Sequence, residues 1–282
     1  MVNLILILSY ALCMNKKVTK ILKYMGSKDW LVNRMKILYE KSGSPRFVEL
    51  FSGSLALSIG MRNQEVLAND LNKFVINLFQ EIKNGFDFFS FDFTVSAEKY
   101  KEYRSEFNDL ISQGVESGPR LAFLFLYLNR TCFNGVCRFN RKEEFNVPFN
   151  KEIKVNFPRF LNDFPFYQNL FQKWTFLTGD FEAMGTHLKP NDFIYADPPY
   201  HKTFTQYYLN VFPIEEQQRL ANFLAVHPGP VVASNSNEPE IVDIYERLGF
   251  TVHYDVSSVQ TVNSKPSERG RIQEILVAKN LS

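Results

Sequence analysis

Short apolar segments alternate with amphipathic segments along most of this 282-residue chain, and this alternation constrains the fold more than any other feature. The apolar segments are bounded by turn residues, as strands are, whereas the amphipathic segments carry apolar residues at helical spacing. Strands that alternate with helices form a mostly parallel, doubly wound α/β sheet with its ligand at the carboxyl ends of the strands. Strands are predicted at 46–51, 65–69, 173–178, 193–196, 230–234, 251–256 and 272–278, and helices at 28–40, 72–83, 214–226 and 238–248.

One interval breaks the alternation, because it is far longer than a crossover between parallel strands requires. It carries helical patterns at 96–110 and 119–130, followed by a turn-rich segment with alternating apolar residues at 131–149. We therefore predict that a second, smaller and mainly helical domain is inserted into the first. The predicted domains are 15–73 together with 173–282, and the inserted 74–172.

The composition indicates a globular protein, since 45% of the residues are apolar and 28 are phenylalanine. A net charge of only +2 excludes a basic field over the whole protein. Positive charge is local instead: residues 15–41 hold eight Lys or Arg against two acids, and residues 128–160 hold seven against three. Such basic regions suit a phosphate-bearing partner, although a solvated face is the commoner cause.

Cysteine and histidine usage limits the kinds of site that the chain can carry. Three cysteines are an odd number without a disulfide framework, which indicates a reducing compartment. The four histidines are scattered without metal-ligand spacing, so we predict no metal. The apolar stretch at 4–13 is too short to span a bilayer, so we predict no membrane association. Since Met14 begins a more natural start, we expect residues 1–14 to be a dispensable extension.

The most informative motif is Asp197-Pro198-Pro199-Tyr200, which follows the predicted strand at 193–196. The Asp197 carboxylate and the Pro198 carbonyl can each accept one N–H of a planar amino group, and Tyr200 can stack on the attached ring. Two acceptors pull the amino nitrogen toward a pyramidal shape, which exposes its lone pair to a methyl donor. The alternative is a Pro-Pro turn that leaves a strand, with Tyr200 in ordinary packing.

A second group of motifs is typical of a nucleoside site. Gly53 forms a tight turn between a strand and a helix, and Asp70 ends the next strand, where it could accept both hydroxyls of a ribose or cap the following helix. Leu55 occupies the second glycine position of a dinucleotide fingerprint, so one nucleoside without a pyrophosphate fits better, as in S-adenosylmethionine. Further candidates, each also readable as a plain loop, are Tyr24, Gly26 and Lys28 upstream, and Asp180 with Phe181 downstream.

Taken in order, these motifs resemble the Dam-type DNA adenine-N6 methyltransferases, the α class of amino-methyltransferases or D12 family. The resemblance runs from about Ile21 to Lys279, and its most specific stretches are 124–130, 133–140 and 144–149. These look like the target-recognition hairpin of enzymes that act on the adenine of GATC. Further matching segments are Phe204-Thr205-x-Tyr207, Ser234-Asn235, and Ser267-x-Arg269-Gly270 with Glu274.

The resemblance implies a Rossmann-like AdoMet-dependent methyltransferase with an inserted target-recognition domain that carries a β-hairpin. It also implies double-stranded DNA as partner and a cytoplasmic location in a bacterium, or in the host cell of a virus, and it leaves open whether a cognate restriction endonuclease exists. The implied S-adenosyl-L-methionine site is Tyr24, Gly26, Lys28, Phe51, Gly53, Asp70, Asp180, Phe181 and Asp197. The implied catalytic residues around a flipped adenine are Asp197, Pro198, Pro199 and Tyr200. The implied DNA-binding residues are Lys23, Phe133, Asn134, Val136, Arg138 and Arg269.

By this resemblance Phe133 wedges into the duplex, Asn134 pairs with the orphaned thymine, and Arg138 reads guanine while Val136 packs on a thymine methyl. From the residues alone, Phe133 would be a core ring and Asn134 part of a turn. The sequence departs from the family at Leu55, where many members have glycine, and at Asn150-Lys151-Glu152, where Gly-Arg-Tyr is usual.

Alternative functions use the same motifs. The amino group could belong to cytosine N4 or to an RNA adenine. A protein glutamine is disfavoured, because enzymes of that type generally carry Asn at the position of Asp197. From another class, the chain could be a non-catalytic DNA-binding regulator on the same scaffold, which failure to bind AdoMet would favour.

Overall fold

The computed structural model describes residues 20–201, 212–259 and 271–281. Within them, every predicted strand is present, and most ends differ from the prediction by one to three residues. The strands are β1 (Phe47–Glu49), β2 (Val66–Asp70), β3 (Trp174–Thr178), β4 (Phe193–Ala196), β5 (Val231–Ser236), β6 (Thr251–Val259) and β7 (Arg271–Lys279).

The strands form one sheet in the order β3-β2-β1-β4-β5-β7-β6. All neighbours are parallel except β7, which runs antiparallel to β5 and to β6. The predicted doubly wound, mostly parallel sheet is therefore confirmed. The strand order reverses between β1 and β4, and in such sheets the ligand crevice opens at the carboxyl ends on either side of that reversal. In the β1–β4 register Glu49 lies opposite Tyr195, which brings the segments after both strands to the same edge.

Each predicted helix is also present among the described residues, whereas the short helices at 157–161 and 164–170 have no predicted counterpart. Asn72 begins α3 by accepting a hydrogen bond from Phe74 N at 3.1 Å, and Ser96 begins α4 by accepting one from Lys99 N at 3.0 Å. The helices are α1 (Val32–Ser42), α2 (Ala56–Met61), α3 (Lys73–Lys83), α4 (Ala97–Ser112), α5 (Pro119–Thr131), α6 (Phe157–Leu161), α7 (Phe164–Leu170), α8 (Ile214–Ala225) and α9 (Pro239–Arg247).

The inserted region packs onto the sheet through phenylalanine rings. The Phe74 ring of α3 lies 5.0 Å from the ring of Phe107 in α4 and 5.3 Å from that of Phe139, and one buried cluster joins these helices to β1 and β2. The segment after α5 carries only two isolated antiparallel bridges, Cys132 to Phe149 and Phe139 to Phe145, rather than a continuous two-stranded ladder. The division of the chain into two domains stays a prediction.

Within the described part of the chain, no helix is both long and apolar enough to cross a membrane. The predicted extension at 1–14 lies outside the described residues.

A buried ion pair joins β1 and β4 at their amino ends. Arg46 donates from Nε to Asp192 Oδ1 at 2.9 Å and from Nη2 to Asp192 Oδ2 at 2.6 Å. Asp192 is fully buried, so removal of Arg46 leaves its charge without a cationic partner and with only the Lys189 N–H as a donor. We expect Arg46→Met to lower the free energy of unfolding by roughly 3–5 kcal/mol, measured by urea denaturation.

Lys36→Met is the matched control, because Lys36 pairs with Glu40 on the exposed face of α1. It should change the free energy of unfolding by less than about 0.5 kcal/mol. Equal effects of the two substitutions would show that the buried pair does not stabilise the sheet.

Candidate active site

The Asp197 side chain is held in place at the carboxyl end of β4 by two donors. Its Oδ1 accepts a hydrogen bond from Ser234 Oγ of β5 at 2.6 Å and lies 3.0 Å from Lys28 Nζ. The side chain is 19% exposed. Among the described residues, Oδ2 has no hydrogen-bond partner and is therefore available to an N–H of a ligand.

Ser234 is itself oriented by Tyr195, whose hydroxyl lies 2.8 Å from Ser234 Oγ, and both residues are buried. A serine hydroxyl has one proton to donate. If Ser234 donates it to Asp197, the Tyr195 hydroxyl must donate to Ser234. Burial raises the pKa of Tyr195 far above its usual range, so its hydroxyl keeps the proton that it donates. The chain of hydrogen bonds from Tyr195 through Ser234 therefore orients the Asp197 carboxylate.

The loop after Asp197 has one backbone acceptor engaged and one available. Gln217 Nε2 of α8 donates to the Pro199 carbonyl at 2.9 Å, and Gln217 Oε1 accepts from Asn235 Nδ2 at 2.8 Å. Both amide side chains are fully buried, so this arrangement is fixed. No described residue donates a hydrogen bond to the Pro198 carbonyl, which leaves it as a second acceptor beside Asp197 Oδ2.

Tyr200 is anchored at its hydroxyl, which donates to Glu274 Oε2 of β7 at 2.9 Å. Lys28 Nζ lies 4.9 Å from the centre of the Tyr200 ring and 3.6 Å from Glu274 Oε2. Burial, with the charges of Asp197 and Glu274, raises the pKa of Tyr200 far above its usual range, so the phenol stays neutral. Because the cation covers one face of the ring, a stacked base would use the other face.

Glu49 ends β1 close to these groups and is buried. Burial raises the pKa of its carboxyl from 4.5 to about 8, the neighbouring Ser58 opposes the rise, and the charge of Asp197 adds to it. Its Oε2 has no hydrogen-bond partner among the described residues. The edge of the sheet therefore holds a carboxyl group that stays protonated at neutral pH.

The glycine loop after β1 is closed by the residues that the sequence singles out. Gly53 has a φ of +46°, and a Cβ there would lie 3.1 Å from the Tyr24 ring. Its N–H donates to Asp70 Oδ2 at 2.7 Å, while Asp70 Oδ1 accepts from Asn72 N at 2.8 Å. Asp70 therefore both holds the loop and turns the chain into α3. Burial raises the pKa of Asp70, and these two N–H groups oppose the rise.

Leu55, which stands where many family members have glycine, keeps the glycine-like backbone. Its φ is +58° and its ψ is 31°, a left-handed conformation that costs an L residue roughly 1–2 kcal/mol. The side chain is fully buried, which offsets part of that cost. The left-handed turn that glycine favours is thus present here with leucine.

Phe51 and Phe181 form one aromatic group with Phe212: the Phe51 ring lies 5.7 Å from that of Phe181 and 5.8 Å from that of Phe212. Asp180 is paired with Arg219, whose Nη1 and Nη2 donate to its two oxygens at 2.8 and 2.6 Å. This pairing lowers the pKa of Asp180. Since the carboxylate already has a cationic partner, its predicted contact with an adenine stays a prediction.

Two buried polar atoms at the edge of the sheet fit a ligand with polar groups. Ser52 Oγ and Glu49 Oε2, both buried at the carboxyl end of β1, have no hydrogen-bond partner among the described residues. Buried polar atoms normally have partners, so these two favour a polar ligand at this edge. No group of three potential metal ligands occurs in the described ranges.

Five of the predicted DNA-binding residues lie in the described ranges: Lys23, and Phe133, Asn134, Val136 and Arg138 in the loop after α5. A Cβ on Gly135 would lie 2.2 Å from Lys23 Cβ, so the loop after α5 packs directly on that lysine. Phe133 is 49% exposed, which rules out a core ring, and Asn134 is exposed with a φ of +54°. Arg138 Nε donates to Asn146 Oδ1 at 2.9 Å. The neighbouring Val136 is half-buried.

Two of the motif segments lie outside the described residues: residues 204–207, and residues 267–270, which include Arg269.

Several residues around Asp197 carry no predicted role from the sequence, although a signal for them exists. Ser234 and Glu49 are polar residues at the ends of apolar strands, as Asp197 is. Gln217 interrupts the buried stripe of α8, where Leu220 and Leu224 follow at helical spacing. A polar residue on such a stripe requires a buried partner.

Comparison with known proteins agrees with these motifs. Residues 24–261 match the family model described as "D12 class N6 adenine-specific DNA methyltransferase". The chain is 30% identical to a DNA adenine methylase of Serratia marcescens, over 93% of this chain and 98% of that protein. It is 29% identical to the retron Ec67 DNA adenine methylase of Escherichia coli (91% and 90% covered), and to a type II methyltransferase of Lactococcus lactis subsp. cremoris (90% and 93% covered).

The raised pKa of Glu49 predicts a pH-dependent stability. The folded chain keeps this proton up to about pH 8, whereas the unfolded chain releases it near pH 4.5. Between these values the folded state binds more protons, so the contribution of Glu49 to the free energy of unfolding falls as pH rises. We expect Glu49→Gln to gain stability relative to the wild type by up to about 1.4 kcal/mol per pH unit across this window.

Urea denaturation at several pH values measures this difference. Glu116→Gln is the control, because pairing with Lys73 lowers the pKa of the Glu116 carboxyl, which is then ionised in both states above about pH 5. A Glu49→Gln difference that does not change with pH would contradict the assignment.

Proposed function

The chain belongs to the D12 class of N6 adenine-specific DNA methyltransferases, enzymes that methylate adenine in DNA, and from this premise we propose a specific reaction. The protein transfers a methyl group from S-adenosylmethionine to N6 of an adenine that is flipped out of double-stranded DNA, in a GATC-like site. The observation that carries the proposal is the pair of available acceptors, Asp197 Oδ2 and the Pro198 carbonyl, at the edge between β1 and β4.

The acceptor pair matches the two N–H bonds of an exocyclic amino group. Asp197 Oδ1 is occupied by Ser234 and Lys28, and the Pro199 carbonyl is occupied by Gln217, so the remaining acceptors point to the ligand. Held by both, N6 becomes more pyramidal and its lone pair becomes available. The reaction would form the N6–CH3 bond as the S–CH3 bond of the donor breaks and its electron pair stays on sulfur, and N6 would then lose one proton to solvent.

The charges near the acceptor pair favour this reaction. Two carboxylates, Asp197 and Glu274, share the single ammonium group of Lys28, while Glu49 stays protonated at neutral pH. The cluster therefore keeps an excess of negative charge where positive charge develops on N6. When bound, the donor supplies a methyl group already activated by its sulfonium, so the site needs no strong general base.

An adenine in a duplex must leave the stack to reach this edge, which costs a few kcal/mol. Stacking on Tyr200 returns roughly 1–3 kcal/mol. The exposed Phe133 is suited to fill the gap in the duplex, with Asn134 beside it for the unpaired thymine. Arg138 and Val136 then read neighbouring base pairs, and Lys23 joins them on the same surface.

The donor site consists of Tyr24, Gly26, Lys28, Phe51, Gly53, Asp70, Asp180, Phe181 and Asp197. Residues 74–172 carry the target-recognition surface. The enzyme acts in the cytoplasm of a bacterium, or in the host cell of a virus. The type II methyltransferase among its relatives supports a cognate restriction endonuclease as partner.

One experiment tests the proposed reaction and its alternatives together. The protein is expressed in cells that lack DNA methylation, and N6-methyladenine and N4-methylcytosine are mapped by sequence context in DNA and, for N6-methyladenine, in RNA. We expect N6-methyladenine in DNA at one short motif such as GATC. Methylation of cytosine or RNA alone, or none in a preparation that does not bind AdoMet, would contradict the proposal.

Removal of the acceptor carboxylate should slow transfer without removing the donor. We expect Asp197→Ala to lower the rate by roughly 100–1000-fold, as for loss of one preorganised transition-state contact. Single-turnover methylation of a GATC duplex measures the rate, and titration with S-adenosylhomocysteine measures donor binding. Asp243→Ala, which changes an exposed aspartate of α9, should leave both unchanged. Near-normal turnover of Asp197→Ala would defeat the assignment.

Substitution of the two arginines proposed for DNA binding should affect different properties, sequence discrimination for Arg138 and overall affinity for Arg269. We expect Arg138→Ala to relax discrimination at one guanine by about 1–3 kcal/mol, because a bidentate base contact is lost. Arg269→Ala should weaken binding to every duplex alike and reduce the dependence of affinity on salt, as for a phosphate contact. Binding series on the GATC duplex and on duplexes with one changed base pair measure both. A uniform loss for Arg138→Ala would refute base reading.

A further inference from the structure

Residues 23–28, which we name the bridge segment, contact three parts of the proposed enzyme. Lys23 packs against Gly135 in the loop of predicted DNA readers. Tyr24 packs against Gly53 in the proposed donor loop. Lys28 lies 3.0 Å from Asp197 of the amino-group site. A shift of the bridge segment would therefore disturb all three contacts at once.

Asn129, near the end of α5, fixes the bridge segment to the recognition loop. Its Oδ1 accepts a hydrogen bond from Lys23 N at 2.9 Å. The two N–H groups of its Nδ2 face three acceptors, Lys23 O at 2.8 Å, Gly135 O at 3.2 Å and Cys137 Sγ at 3.2 Å, so one N–H is shared between two of them. The side chain is fully buried, so water does not compete for these bonds. One amide thus holds both backbone groups of Lys23 and two residues of the recognition loop.

The contact is also sterically tight. Gly135 has a φ of +65° and approaches Lys23 so closely that a Cβ at position 135 would overlap the lysine side chain. The recognition loop therefore cannot move toward the bridge segment without displacing it. Beyond Lys23, Tyr24 rests on Gly53, whose N–H binds the Asp70 carboxylate of the proposed donor site.

We infer that Asn129 is a positioning residue that couples DNA recognition to donor binding. When a cognate duplex orders the recognition loop, the Asn129 amide holds the bridge segment in the position in which Tyr24 and Lys28 meet the donor. By thermodynamic reciprocity, the donor then strengthens the binding of cognate DNA by the same factor. This inference rests on the proposed function, since it requires that the protein bind both ligands.

The first test uses the wild-type protein. The Kd of S-adenosylhomocysteine is measured alone and with saturating GATC duplex or a duplex of scrambled sequence. The expected result is an affinity at least about fivefold higher with the GATC duplex, at the lower end of typical coupling factors, and little change with the scrambled one. Hydrogen exchange should show that the GATC duplex protects amides of the bridge segment and that the scrambled duplex does not.

The second test removes the connection. Asn129→Ala should reduce the coupling factor to near one, while the Kd of S-adenosylhomocysteine without DNA changes by less than about threefold, since coupling and site affinity are separate quantities. The matched control is Asn108→Ala. The Asn108 amide binds Phe145 N at 2.8 Å and Phe145 O at 3.2 Å, so it holds the same recognition region to α4, but it does not contact the bridge segment. It should retain the coupling.

Should Asn129→Ala not fold, Gly135→Ala disturbs the same junction from the loop side and should likewise abolish coupling. The inference is overturned if the wild type binds both ligands without coupling, if the bridge segment gains no protection, or if Asn108→Ala loses coupling as fully as Asn129→Ala. A wild type that binds neither ligand would instead defeat the proposed function, so the two failures are distinguishable.

Discussion

The candidate site depends on how three charged side chains share a position that is largely closed to water. Lys28 lies 3.0 Å from Asp197 and 3.6 Å from Glu274, and none of the three side chains is more than 19% exposed. Charges that leave water need close partners, because an uncompensated one costs several kcal/mol. Lys28 is the cationic partner of both carboxylates. Asp197 keeps one oxygen available to a ligand, and Glu274 accepts a hydrogen bond from the Tyr200 hydroxyl. The acceptor and the stacking ring thus have fixed relative positions before any ligand arrives.

The sheet explains why residues distant in the chain meet there. β1 and β4 are neighbours at the point where the strand order reverses, so the glycine loop after β1 and the Asp-Pro-Pro-Tyr loop after β4 open toward the same crevice. Ser234 of β5 and Glu274 of β7 also reach the site, and each lies in the half of its strand nearer this edge. The antiparallel direction of β7 is what brings the start of that strand, rather than its end, to the site.

The sequence predicts those parts of the fold and the site that depend on interactions between residues close together in the chain. Alternation predicts the strands, Asn72 predicts the start of a helix, and Asp197 with Pro198 predicts an acceptor pair because both are adjacent in sequence. Contacts between residues far apart in the chain cannot be predicted from a local pattern. The position of Lys28 on Asp197, and of Gln217 on Pro199, follows only once the sheet is assembled.

In the predicted recognition hairpin, by contrast, the local pattern predicts a structure that does not form. Its alternating apolar residues suggest two paired strands, but Asn134 takes a left-handed conformation and Asn140 binds the backbone of residues 142 and 144 through its own side chain. These local bonds compete with a ladder, and only isolated bridges remain. At Leu55 the residue type disfavours the left-handed backbone conformation, and burial of the side chain stabilises it.

The most direct test of the central claim is a crystal structure of the protein with S-adenosylhomocysteine and a short GATC duplex. The account predicts that the adenine amino group lies between Asp197 Oδ2 and the Pro198 carbonyl. The cofactor sulfur should face that nitrogen across a gap with room for one methyl group. A sulfur that lies away from this edge, or an amino group bound elsewhere, would contradict it.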